Sequence, residues 1–302
     1  MSSAFPAPSP TTSTPPADPN RSARRFEIAM NVPGTLVTVT LILFALALVL
    51  FLSTRINDST VLGAGFTFGN FVEAASDPLY RMVVGRSLII AGLVTLATVG
   101  LAYPVAYYAA FHAGRHRGLI LFLVTLPFWT SYLLRVFAWK IVLAYNGVLN
   151  SGLMELGIIR EPILAFLNTP AAVVITLAHA YAAFAVLPIF VALETIPKSY
   201  LEAASDLGAK PAETFRRVVL PMSMPGVLSA ALVVFVPTVG DYVTPALVGG
   251  PSSTMIGSII QAQFGKADDW PFGAAVAVLT MLVILVVVAA ARALDKRFGS
   301  RT

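Results

Sequence analysis

Long apolar runs separated by short polar stretches set the pattern of this chain. Six runs reach the roughly 20 apolar residues that a helix needs to cross a bilayer: residues 32–52, 87–111, 118–145, 170–193, 222–248 and 270–291. Four of them contain no Asp, Glu, Lys or Arg. The third carries Arg135 and Lys140, and the fifth carries Asp241. This pattern predicts an all-α membrane protein with six transmembrane helices.

The polar stretches divide the chain further. Residues 1–26 are dominated by Pro, Ser, Thr and Ala, cannot bury a core, and are expected to be a disordered tail. The first apolar run follows Arg21, Arg24 and Arg25. It is longer than a signal-peptide core and no small-residue cleavage site follows it, so it reads as a retained helix. Residues 27–84 then hold this first transmembrane helix and an external segment. Phe66, Phe68, Phe71, Leu79 and Tyr80 give that segment enough apolar character to lie on a membrane surface or pack on the domain. Residues 85–293 form the core domain, including a polar loop at 194–221, and residues 294–302 form a second tail. Two more external segments are expected at 146–169, with a short helix near 153–156, and at 249–269.

Composition narrows the class. The chain is 57% hydrophobic and 12% charged, with a mean hydropathy of +0.81, whereas a soluble domain carries about 25% charged residues. Little of the 302 residues is left for a soluble catalytic domain. There are no cysteines, which excludes disulfide and thiol chemistry. The net charge of +5 does not call for nucleic acid, because its distribution has a membrane explanation. With the N-terminus placed in the cytoplasm, thirteen Lys and Arg fall on inside segments and five on outside ones. The positive-inside rule therefore predicts a multi-pass protein with both termini cytoplasmic and the 194–221 loop on the same side.

That loop is the most informative stretch. Residues 202–221 read EAASDLGAKPAETFRRVVLP. Tyr200, Ala204 and Leu207 share a helical face. Gly208 suits the positive φ just past a helix end, and Pro211 suits the first turn of a second helix. Glu213 early and Arg216 and Arg217 late complement that helix's dipole. Pro221 is expected to end the helix at the membrane boundary. The plain alternative is a solvated amphipathic loop between two spans.

Glu202, Ala203 and Ala204, then Gly208, then Leu220 and Pro221 after the correct spacing resemble the signature of permease subunits in bacterial ABC importers. Val218 stands where that signature has Ile. The runs LPFWTSYLLRVFAWK (126–140), NGVLN (146–150), PTVGDYVTPALVGG (237–250) and DWPFGAA (269–275) resemble the spermidine/putrescine branch of the family, over about residues 85–293. The resemblance implies a type I ABC importer permease fold. It implies a non-enzymatic transport subunit in a bacterial inner membrane, with no cofactor of its own and ATP bound on a separate chain. Partners implied are cytoplasmic ATPase subunits, a second permease in a heterodimer, a periplasmic or extracellular solute-binding protein, and membrane lipid. Glu202, Ala203, Ala204, Gly208, Leu220 and Pro221 would form the ATPase-coupling element. The solute would be a polyamine. An opine, an amino-acid derivative or another small amine is the alternative within the class, and an ion-coupled secondary transporter or channel the alternative outside it.

Charged residues inside a membrane are costly and face a partner or a water-filled path. Arg135 and Asp241 therefore read either as a structural ion pair or as part of the solute path. Trp129, Tyr132 and Tyr242 flank them, and an ammonium can sit over an aromatic face. These five residues are the candidate pathway, with interfacial packing as the plainer reading of the aromatics. His179 in the fourth run is expected to be buried with a hydrogen-bond partner, since no second metal ligand is spaced near it. No phosphate-cradling Gly-rich loop, catalytic triad or metal-binding spacing is present.

Overall fold

The computed structural model describes residues 19–57 and 65–299, so the predicted tail at 1–18 lies outside the described residues. The chain divides into two compact units, residues 1–49 and 50–302. The first holds most of helix α1 (Pro19–Ser53), which takes in residues 19–26 that composition assigns to the tail. Its most apolar 18-residue window within Val32–Ser53 has a mean hydropathy of 2.8. Side chains from Val32 to Leu48 are exposed all round, a surface that only hydrocarbon or another apolar helix suits.

The second unit is also helical, and its one β-bridge among the described residues joins Arg55 and Phe66. After α2 (Gly69–Ser76) comes α3 (Pro78–Phe111). It starts before the apolar run because Asp77 accepts the Leu79 N–H at 2.7 Å and Pro78 fills a first-turn position. Next come α4 (Arg117–Thr125), α5 (Tyr132–Val142), α6 (Val148–Glu155) and α7 (Pro170–Glu194). The order continues with α8 (Lys198–Asp206), α9 (Pro211–Thr214), α10 (Leu220–Val239), α11 (Val243–Val248), α12 (Ile256–Gly265) and α13 (Trp270–Gly299). Among the described residues, five stretches, α1 included, are long and apolar enough to span a membrane, and six if a bent pair counts as one. The bent pair is Gly114–Trp129 and Tyr132–Val142, which meet at 90°.

Two predicted spans are therefore interrupted. The third breaks at Thr130 and Ser131 after a 3-10 turn at Leu126–Trp129. The fifth stops at Val239 and resumes as α11 beyond Gly240, Asp241 and Tyr242. Each break follows a proline, Pro127 or Pro237, which weakens the helical ladder before it. Pro104, Pro188 and Pro225 sit inside unbroken helices instead.

The core is the mutual packing of α3, α7 and α10. α7 is apolar on every side, and half of its most apolar window is buried, as expected of a central helix. Lipid tails are as apolar as leucine, so close van der Waals contact rather than hydrophobic burial must hold such helices together. Small residues permit it: Ala102, Ala106 and Ala109 on α3, Ala178 and Ala185 on α7, and Gly226 and Ala230 on α10 are all buried. Polar stitches supplement the contact. The Tyr103 and Ser223 hydroxyls meet at 2.8 Å between α3 and α10. Ser87 on α3 accepts the Ile256 N–H of α12 at 2.7 Å. Arg117 and Glu194 pair at 2.5 Å across the ends of α4 and α7, though both are substantially exposed, so their contribution is at most about 1 kcal/mol.

A Cβ added at Gly226 would lie 2.7 Å from the Pro188 carbonyl oxygen. Gly226→Ala is therefore expected to destabilise the purified protein by about 1–3 kcal/mol through overpacking. Ser229→Ala, on the exposed side of the same helix, should leave the thermal midpoint in place. Equal midpoints for both variants would show that the α7–α10 approach is not tight.

Candidate coupling surface and solute path

The loop between α7 and α10 folds as two helical pieces joined at a glycine. α8 ends at Asp206 with Leu207 as its cap, and Gly208 follows with φ +81°. The Ala209 N–H reaches the Ala204 carbonyl at 3.0 Å and the Gly208 N–H reaches Ser205 at 2.8 Å. This double closure is a Schellman cap, which favours glycine at that position. Pro211 then opens α9 as expected, and Glu213 pairs with Arg217 at 2.9 Å.

Pro221 does not end the helix. From Pro211 to Val239 the chain is one helical stretch, widened at Phe215–Val219 into a π turn in which the Leu220 N–H bonds the Phe215 carbonyl. A widened turn already interrupts the regular ladder, so a proline immediately after it sacrifices little. Pro221 instead occupies the first turn of α10.

Most of the predicted coupling residues lie at the surface. Glu202, Ala203, Gly208 and Pro221 are exposed, Leu220 is half-buried, and Ala204 is buried. Tyr200, Ala203, Ala204 and Leu207 face Arg217, Val218, Pro221 and Met222 across a groove of about 430 Å³. Leu207 is 88% exposed. An apolar side chain so placed on a polar loop marks a surface made to be covered. The loop is also fastened to the core. The Phe215 ring stands edge-on to Tyr103 at 5.7 Å and to Tyr107 at 5.8 Å, both on α3.

The candidate path residues gather at the two helix breaks. Asp241 is buried, and its Oδ1 accepts the Val243 N–H at 2.9 Å and the Thr244 N–H at 3.4 Å. The Tyr132 hydroxyl, at the start of α5, donates to Asp241 Oδ2 at 2.6 Å and also meets Thr244 Oγ1 at 2.6 Å. One carboxylate thus caps the restarted helix and ties the break in the fifth span to the break in the third. Trp129 is 81% exposed and Tyr242 47% exposed, one at each break.

Arg135 and Asp241 form no ion pair among the described residues. The Arg135 side chain turns toward α7, where Nη1 donates to the Ala180 carbonyl at 3.0 Å, and it sits 5.9 Å from the centre of the Tyr132 ring. A tyrosine stands between the two charges, and the helix terminus satisfies the carboxylate that the arginine was expected to take. His179 is exposed rather than buried, edge-on to Trp139 at 5.5 Å, with no hydrogen bond among the described residues. Thr244 was missed in the sequence. Its place three residues after Asp241, in a helix-capping register, is the signal that would have found it.

Comparison with known proteins agrees with this geometry. Residues 102–300 match the family described as the binding-protein-dependent transport system inner membrane component. The spermidine/putrescine transport system permease protein PotB of Escherichia coli K12 is 40% identical over 245 residues, 80% of this chain and 88% of that protein. The inner membrane ABC transporter permease protein YdcU of the same organism is 36% identical over 242 residues, 76% and 75% of the two chains. Among solved structures, a bacterial alginate ABC transporter in complex with an alginate pentasaccharide-bound periplasmic protein aligns with a TM-score of 0.70 at 16% identity, covering 93% of this chain and 97% of its own. That likeness concerns the fold alone.

Tyr132→Phe removes the hydroxyl shared by Asp241 and Thr244. It is expected to cost about 1.5–3 kcal/mol of stability, the range for a hydrogen bond to a charged group, read as a fall in the thermal midpoint. Tyr242→Phe, at a half-exposed ring, should be neutral. A neutral Tyr132→Phe would mean that the two breaks are not tied.

Proposed function

Because the chain belongs to the inner membrane component family of binding-protein-dependent transport systems, we propose that it is the permease of a polyamine importer driven by a separate ATPase. It is a multi-pass transport subunit of an ABC importer, not an enzyme. The observation that carries the polyamine reading is the 40% identity to PotB across 88% of that protein. Chemistry supports it: a buried carboxylate, Asp241, is bonded by Tyr132 and adjoins Tyr242, and aromatic faces suit an ammonium. Arg135, turned toward α7, does not oppose such a cation directly.

On this reading residues 202–221 are the ATPase-docking element, and the groove beside Leu207 receives the ATPase. Both termini are then cytoplasmic, in keeping with the bias of Lys and Arg. ATP binds the partner ATPase, a second permease chain completes the path as a heterodimer, and a periplasmic binding protein delivers solute to the opposite face. ATP-driven closure of the ATPase pair shifts α8 and, through Phe215, the α3 end of the core.

Uptake of labelled putrescine and spermidine tests this in cells stripped of other polyamine importers. Deleting the chain is expected to abolish uptake and the wild-type gene to restore it. Gly208→Asp should not restore it while still inserting in the membrane. At φ +81° a side chain is strained by about 1–2 kcal/mol, and open space around the glycine lets the new carboxylate project onto the docking face. Gly208→Ala, which carries the strain without the charge, should retain part of the uptake. Polyamine uptake that survives deletion rejects the substrate, and normal uptake by Gly208→Asp rejects the coupling role.

A further inference from the structure

One cavity in the second unit takes no part in the coupling surface or the path. It is a crevice of about 590 Å³ between α13 and the start of α3, floored at one end by α2. Its walls are Val84 and Leu88 on α3 and Val276, Leu279, Val283 and Val287 on α13. From Val276 to Val287 it runs about 16 Å along α13, at 1.5 Å per residue. That is about half of the 30 Å hydrocarbon core, the depth of one leaflet. The crevice is open at the side, where Leu282 and Val286 are exposed.

Its one charged group lies at one end, and the Thr280 hydroxyl farther in is taken up by the Val276 carbonyl of its own helix. Arg81 lines the crevice one turn into α3, beside Ala74 and Ala75 of α2, near the N-terminal end of that candidate span. Its guanidinium is exposed and has no ion-pair or hydrogen-bond partner among the described residues. The nearest acid along α3 is Asp77, whose carboxylate is occupied by the Leu79 N–H. The opposite leaflet repeats the arrangement on a smaller scale. A crevice of about 230 Å³ between α10 and α13 is walled by Pro225, Leu228 and Leu232 and carries Arg292. A cation at the mouth with an apolar slot one leaflet deep fits one occupant, a phospholipid with its phosphate on the arginine and an acyl chain in the slot.

We propose that the α3–α13 crevice is a binding site for an anionic phospholipid, held by Arg81 at the headgroup and by the valine and leucine walls along one acyl chain. The site does not depend on the polyamine assignment. Only the identity of the leaflet, the outer one, follows from the proposed orientation.

The test uses the complete transporter, with its ATPase and partner permease, reconstituted in bilayers of equal phosphatidylglycerol and phosphatidylethanolamine. After mild detergent extraction, lipid retained on the complex is measured by native mass spectrometry. The wild type is expected to retain phosphatidylglycerol several-fold over phosphatidylethanolamine. Arg81→Gln should remove that preference. Val283→Trp, which fills the slot, should lower retention of both lipids, while Leu119→Trp on exposed α4 should not. Co-purification of the ATPase confirms that each variant is assembled. A photo-crosslinker at Val283 supplies an independent reading and should capture lipid. Unchanged retention in both Arg81→Gln and Val283→Trp would overturn the proposal. Capture of the partner permease at Val283 would also overturn it and assign the crevice to a subunit interface.

Discussion

A helix that stops inside a bilayer leaves amide groups that no water can reach, and each such group costs several kcal/mol if nothing receives it. This chain stops a helix at Val239 and starts another at Val243. Asp241 makes that tolerable, because its carboxylate accepts the Val243 and Thr244 N–H groups. The same carboxylate would be expensive to bury alone. Two backbone donors and the Tyr132 hydroxyl stabilise it, and Tyr132 itself begins the helix after the other break. The two interruptions therefore depend on each other. α12 presses on the same point, with Gly257 against the backbone of Gly240 and Asp241, a place with no space for a side chain.

Around this junction the rest of the unit is built for close approach. Alanines and glycines let α3, α7 and α10 pack with little between their backbones. Such a bundle transmits displacement, since tightly packed helices shift as bodies rather than deform. The 198–221 loop is joined to it at Phe215, held between Tyr103 and Tyr107, and the start of α10 just beyond is bonded to Tyr103 through Ser223. A force on α8 and the π turn is thus delivered to α3, and α10 carries it on toward the break at Gly240. The break sites are where a bundle of otherwise continuous helices has backbone freedom to respond.

The helical class and the span count were legible in the apolar runs, because a bilayer imposes length and polarity so strictly. The Gly208 cap and the Pro211 start were legible for a similar reason: each answers a local backbone demand. The breaks were legible only in part. Pro127, Pro237 and Gly240 mark the two places, but Pro104, Pro188 and Pro225 sit in helices that continue, so proline alone does not say which span breaks. Pro221 misled for the converse reason, since a π turn beside it removes the cost on which the helix-ending expectation rested. Arg135 and Asp241 were singled out correctly as unusual, but their partners were not foreseen. The helix terminus that caps the acid is a local contact that the register of Val243 and Thr244 encodes, whereas Tyr132 on the acid and the Ala180 carbonyl on the arginine depend on tertiary placement that no spacing in the chain encodes.

Docking of the ATPase on the 202–221 loop is the central claim, and the chain's lack of cysteine makes it directly measurable. A single cysteine at Leu207, labelled with a photo-crosslinker in the assembled transporter, should form an adduct with the ATPase subunit. A cysteine at Leu156, exposed in the segment after α6, should not. An ATPase adduct from Leu207 alone is the expected result. An adduct from Leu156 alone, or capture of the external binding protein at Leu207, would contradict the proposed orientation and the coupling role together.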